Sequence, residues 1–285
     1  MDTEEMNNCT VNFTTPVEST NSTTNSYELL YILNMCMHCI NFLFGLPTHS
    51  YVIWLIITGT GNGVAFEFVI LNLSFSEIGI CLNSVISLLS FWFSGIIILN
   101  TFLVGLIITG RPLFQCLICV ERYLAVVHPV IFLKYKPLRY RVIGCTLAWI
   151  LILGSCVCCM LTVASHYIVF MWFIFLQFLI FLSIQLFCLV AILRALKQSG
   201  PGERGRIRNE ENDKIRRVIY LILVTTATIV IIYVPLALTA LYTIVTKVMI
   251  QDVWFPAVIC YILAGFVQSV IYLNRTGKLS CLCSL

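Results

Sequence analysis

Glu77 and Arg111 stand in the middle of long apolar runs, where almost nothing else in the chain is charged. An ionised side chain at the centre of a bilayer costs about 3 kcal/mol or more unless something answers it, so each of the two calls for a partner. Arg111 lies eleven residues before Arg122 at the end of its run, which is about 16 Å at 1.5 Å per residue. Glu77 lies about fourteen residues into the preceding run, about 20 Å by the same measure. Counted from one membrane face, the two depths agree to within about one helical turn. Glu77 is also the only carboxylate at that depth. The spacing therefore predicts an intramembrane ion pair. The alternative is an Arg111 that faces lipid and reaches for the headgroups.

Other reactive residue types are present without a spacing that would use them. The chain contains no Gly-x-Ser-x-Gly, no His-Glu-x-x-His and no Ser/His pair within an apolar run. His38, His49, His128 and His166 are scattered, and a single His in an apolar helix is usually a hydrogen-bonded packing residue. Eleven of the fourteen cysteines fall in apolar runs, where a thiol behaves as a small hydrophobe. Cys116-x-x-Cys119 has the spacing of metal ligands but no further ligands beside it. Neither an enzyme nor a metal or cofactor is expected.

The elements that hold these residues follow from composition. Of 285 residues, 60% are hydrophobic and 11% charged, with a mean hydropathy of +0.97. Soluble domains carry about 25% charged residues, so the chain has less than half the charge that a wet surface uses. That excludes a nucleic-acid module, a disordered chain and a secreted disulfide scaffold. It leaves an all-α membrane protein. At about 20 apolar residues per span, the length holds about six to eight helices. Seven apolar segments, at 28–58, 64–93, 96–122, 142–164, 168–193, 218–246 and 254–273, predict a seven-helix bundle. No internal repeat of the transporter kind is visible.

Residues 1–27 read as a polar tail without Lys or Arg and without the features of a signal peptide. Sequons at Asn8, Asn12 and Asn21 favour a glycosylated terminus outside the cell. The basic residues agree. With the N-terminus outside and the C-terminus inside, fourteen of the seventeen Lys and Arg fall in inner loops and tail, and Lys247 alone lies outside. Arg111 and Arg122 belong to the third segment. The expected organisation is an extracellular tail (1–27), a seven-helix domain (28–273) with an inner loop at about 194–217, and a short cytoplasmic tail (274–285). The basic inner face suits anionic membrane lipids or an acidic partner, and not nucleic acid.

The third segment ends in Glu121-Arg122-Tyr123-Leu-Ala-Val-Val-His-Pro129. This resembles the Asp/Glu-Arg-Tyr signature of the rhodopsin-like G protein-coupled receptors, including the proline seven residues after the arginine. Trp149 in the fourth segment, Pro235 in the sixth and Tyr272 closing the seventh also stand where that family has them. The likeness covers 28–273. It implies a plasma-membrane receptor that passes an extracellular or membrane-borne signal to a heterotrimeric G protein. It implies that Glu121 holds Arg122 at rest and that Arg122 meets the G protein once the sixth helix swings outward. Tyr233, two residues before Pro235, takes the place of the family's aromatic switch, unless it is simply a packing aromatic.

The chain departs from that pattern in several places. His49 replaces an Asn in the first helix, Glu77 replaces a buried Asp in the second, and Gln268-Ser-Val-Ile-Tyr272 lacks the family's Asn-Pro. The fifth segment has no proline, while Pro112 interrupts the third. In the family, the carboxylate on helix two helps bind sodium, and the guanidinium of Arg111 is expected to replace that ion. The outer disulfide is missing, since Ile96, Ile97, Ile98 and Leu99 occupy the start of the third segment. These departures keep open a non-signalling decoy or partner-binding bundle that has lost part of the switch.

The family's ligand pocket would fall among Thr101, Val104, Gly105 and Ile108 of the third segment, Leu236 and Ala240 of the sixth, and Trp254 and Val258 of the seventh. No charged side chain lies at that depth, so an apolar small-molecule ligand, or none, is expected. The same residues could equally pack the bundle. Cys281 and Cys283 follow Lys278 just beyond the last segment and suit S-palmitoylation.

Overall fold

The computed structural model describes residues 20–59, 67–90, 92–135, 138–163, 166–198, 230, 233–248 and 251–275. They form α1 (Thr20–Ile40), α2 (Leu46–Thr58), α3 (Phe68–Leu89), α4 (Ile97–Val127), α5 (Pro129–Tyr135), α6 (Leu138–Val163), α7 (Tyr167–Gln198), α8 (Tyr233–Thr246) and α9 (Gln251–Arg275). No strand occurs among the described residues. A backbone without water must satisfy its own amides and carbonyls, and the helix is the element that does so within one segment.

Six of these helical stretches are long and apolar enough to cross a membrane: Glu28–Thr58, Phe68–Leu89, Ser94–Val127, Leu138–Thr162, Tyr167–Ala195 and Trp254–Asn274. α8 is a shorter apolar helix, because most of the expected segment 218–246 lies outside the described residues. Polarity across the bundle is inverted relative to a soluble protein. Trp54, Leu151, Ile180 and Phe187 are exposed, whereas Asn41, Glu77, Asn83, Arg111, Gln115 and Gln185 are buried. An apolar rind over a core that contains polar groups is what a lipid solvent selects. The chain is an all-α, multi-pass membrane protein.

α4 is the central helix, packed against α3, α6 and α7. At Gly105 it meets α6 backbone to backbone, and a Cβ there would collide with Cys156. α1 and α2 form one rod joined by a π-turn at Asn41–Gly45. Pro47 has no amide for the carbonyl of Leu43, and the ladder widens there. The turn buries Asn41, which donates to Ser84 Oγ on α3 at 2.9 Å. Trp149 Nε1 on α6 donates to Asn72 Oδ1 on α3 at 2.9 Å.

Several boundaries differ from expectation. α1 begins at Thr20 and so takes in part of the presumed tail, since polar residues extend a helix once an apolar run has nucleated it. α4 runs on to Val127, and α7 to Gln198. Asn8, Asn12, the 199–217 part of the inner loop, Cys281 and Cys283 lie outside the described residues. Asn21 falls on α1.

Candidate functional site

Arg111 is fully buried and Glu77 is 3% exposed. Arg111 Nε donates to Glu77 Oε1 at 2.5 Å, and Nη2 donates to Oε2 at 2.7 Å. This is the two-pronged match of guanidinium to carboxylate. The third nitrogen, Nη1, donates to the carbonyl of Tyr261 on α9. The guanidinium carbon lies over the Tyr261 ring, 4.4 Å from its centroid. One side chain thus ties α4 to both α3 and α9. The depths counted along the two segments bring these residues to the same level, and the structure puts them in contact.

Backbone features complete the centre. Pro112 has no amide to give the carbonyl of Ile108, and its ring crowds that turn of α4. One residue earlier, the carbonyl of Ile107 accepts the Tyr261 hydroxyl. On α9, Gly265 lies one turn beyond Tyr261 on the same face. A Cβ at Gly265 would sit 2.7 Å from Arg111 Nη2 and 3.0 Å from Glu77 Oε2. Tyr261 and Gly265 were not legible as site residues, because a carbonyl and a missing side chain leave no mark in residue type. Their four-residue spacing, which puts both on one helix face, is the signal the sequence holds.

Beside the pair, His49 Nδ1 and Ser269 Oγ stand 3.0 Å apart. With Ser74, Glu77 and Tyr272 they line a cavity of about 10 Å³, room for about one water molecule. Tyr233, on the described part of α8, reaches into the same neighbourhood. Its ring centroid lies 5.7 Å from Tyr261 and 5.0 Å from Phe178, and its hydroxyl donates to Gln115 Oε1 at 3.4 Å. Pro235 follows two residues later on α8.

At the far end of α4, Glu121 makes a close ion pair with Arg141 of α6, with Nε 2.6 Å from Oε1, and the charge of the adjacent Arg122 also acts on its carboxylate. Arg122 is partly buried on the same turn. Tyr123 contacts His128, with 3.2 Å between the hydroxyl and Nε2. Tyr272, near the end of α9, donates to Glu67 Oε2 at 2.5 Å, a contact that residue spacing did not suggest.

Of the expected pocket residues, Ile108, Leu236 and Ala240 are buried in one apolar cluster with Val104, Trp254 and Val258 packed around it. Gly105 faces α6. Thr101 turns its hydroxyl back to the carbonyl of Ile97. Cys116 accepts from Gln185 Nε2 at 3.2 Å and donates to the carbonyl of Phe181 at 3.5 Å, as a packed thiol does. No protein-family model matches the chain, and no curated protein matches it.

Proposed function

We propose that the chain is a receptor of the rhodopsin-like G protein-coupled class. It has seven helices, with the tail of sequons outside and the basic loops inside the plasma membrane, and it relays an extracellular or membrane-borne signal to a heterotrimeric G protein. The observation that carries the proposal is Glu121-Arg122-Tyr123 at the end of the central helix, joined to α6 through Arg141. Arg122 is the residue that meets the G protein. Its position at the edge of the bundle leaves a guanidinium, costly in lipid, easily drawn to a polar partner.

The moving part is the helix that contains α8. Tyr233 rests on Tyr261, and Tyr261 holds Arg111, so displacement of α8 disturbs the buried centre. Arg111 fills the role of the ion that the family's receptors hold beside the acid of helix two. The apolar cluster around Ile108 and Ala240 suits an apolar ligand or none. Asn8, Asn12 and Asn21 carry glycans, and Cys281 and Cys283 carry palmitate.

The test is basal G protein activation in cells, wild type against Arg122→Ala at matched surface expression. Basal signal that disappears in the variant supports the receptor and places coupling at Arg122. Equal signal in both rejects Arg122 as the coupling residue. A second function, a non-signalling bundle, is favoured by the three-helix clasp at Arg111 and by the missing Asn-Pro. Silence in both proteins across a panel of lipids would favour that one.

A further inference from the structure

Near the end of α4 a groove of about 200 Å³ runs between α3, α4, α5 and the first turns of α6. Leu117, Leu124, Phe132 and Cys145 make its walls apolar. Gly144 belongs to the lining, and a Cβ on it would find nothing within 4 Å. Tyr140, one turn earlier on the same face of α6, borders the groove and is exposed. Ile143 and Leu147 beside that face are exposed as well, so the groove opens on the side of the bundle that lipid covers.

Inside the groove the charges are matched. Glu121 and Arg141 both border it, and they pair with each other. The Arg141 side chain is only 7% exposed, so it gives an occupant little to grip, and its charge offsets that of Glu121 along the wall. The mouth is different. Arg139 is exposed in the first turn of α6, and its guanidinium carbon lies 5.9 Å from the centroid of the Tyr140 ring. Lys134 and Lys136 precede it in the sequence, and no Asp or Glu occurs from Arg122 through Gly202. An apolar slot thus ends at a basic rim.

We propose that this groove binds an anionic phospholipid of the inner leaflet, with one acyl chain along Leu117, Leu124 and Cys145 and the headgroup phosphate against Arg139. The occupant needs an apolar chain for these walls and an uncompensated negative charge at the mouth. Phosphatidylcholine brings the chain but offsets its phosphate with choline. A sterol brings no charge, and a soluble anion brings no chain. Anionic phospholipids are concentrated in the cytoplasmic leaflet, the side to which the count of basic residues assigns this end of the bundle. The site stands whether or not Arg122 couples to a G protein.

The experiment uses the full chain in lipid nanodiscs and two alkyne-bearing probes, phosphatidylserine and phosphatidylcholine, each with a photoreactive group in its acyl chain. One Lys or Arg near an anionic lipid surface contributes about 1 kcal/mol, or about fivefold in binding. The serine probe is therefore expected to label groove peptides of α3, α4 and α6 about fivefold more strongly than the choline probe. Arg139→Gln is expected to erase that preference and leave both probes in the groove. Gly144→Leu is expected to fill the groove and remove labelling there by both probes, with thermal unfolding unchanged. Equal labelling of the wild type by the two probes overturns the proposal. So does a preference that survives Arg139→Gln, or groove labelling that survives Gly144→Leu. Labelling spread evenly over the ends of all the helices would show general adhesion to basic loops and would overturn it too, as would displacement by cholesterol or free oleate and not by unlabelled phosphatidylserine.

Discussion

Arg111 has exchanged its water shell for a carboxylate on α3 and for the carbonyl and aromatic face of one tyrosine on α9. Removing one partner of such a pair strands the other charge, at a cost of about 3–5 kcal/mol. Arg111→Ala is therefore expected to lower surface expression and the melting temperature in detergent sharply. Adding Glu77→Ala should recover part of the loss. Equal damage from the single and double variants would show that the two residues do not act as a pair. Gly265→Ala is expected to destabilise by about 1–3 kcal/mol, the usual range for overpacking, because its Cβ would press on Arg111 and Glu77. A melting curve that matches wild type would refute the close approach. Charge and depth made Glu77 and Arg111 legible in the sequence. Tyr261 and Gly265 escaped because they contribute a backbone oxygen, a ring face and an empty volume.

At the scale of elements, α4 does most of the positioning, and its small residues decide how closely others approach. Gly105→Val is expected to push α6 away and destabilise the bundle, whereas Gly154→Val, on an open side of α6, should be nearly neutral. Comparing the two melting temperatures checks this, and equal losses would contradict the packing. The Glu121–Arg141 bridge is partly open to its surroundings, so its worth is modest, about 1 kcal/mol or less. A double-mutant cycle with Glu121→Gln and Arg141→Gln should show coupling of that size. Zero coupling would move the partner of Glu121 elsewhere. The segment pattern located every described span but not its ends, because apolar periodicity stops where long polar side chains keep the helix going. The Arg141 partner of Glu121 was not legible for a geometric reason: it comes from another helix, and spacing along α4 does not show which residues of α6 face it.

For the whole molecule, inverted polarity is what composition made legible, and six membrane-long helices follow from it. Orientation rests on the charge count and the sequons. A glycosidase that trims N-linked sugars is expected to shift the protein on a gel, and Asn8→Gln, Asn12→Gln and Asn21→Gln together should abolish the shift. An unshifted wild type would place the N-terminus on the other face.

The clasp between Glu77 and Arg111 also constrains how the protein is made. Each of α3 and α4 carries a charge that the membrane resists, by about 2.5–3.5 kcal/mol at a helix centre, and only together are they neutral. Only residues 90–96 separate the end of α3 from the start of α4, so the pair can leave the translocation machinery as one hairpin. A nascent chain halted between them would offer the bilayer a lone acid. Quality control would then meet α3 waiting for its partner, and the pace of synthesis across this connection would set how long that exposure lasts.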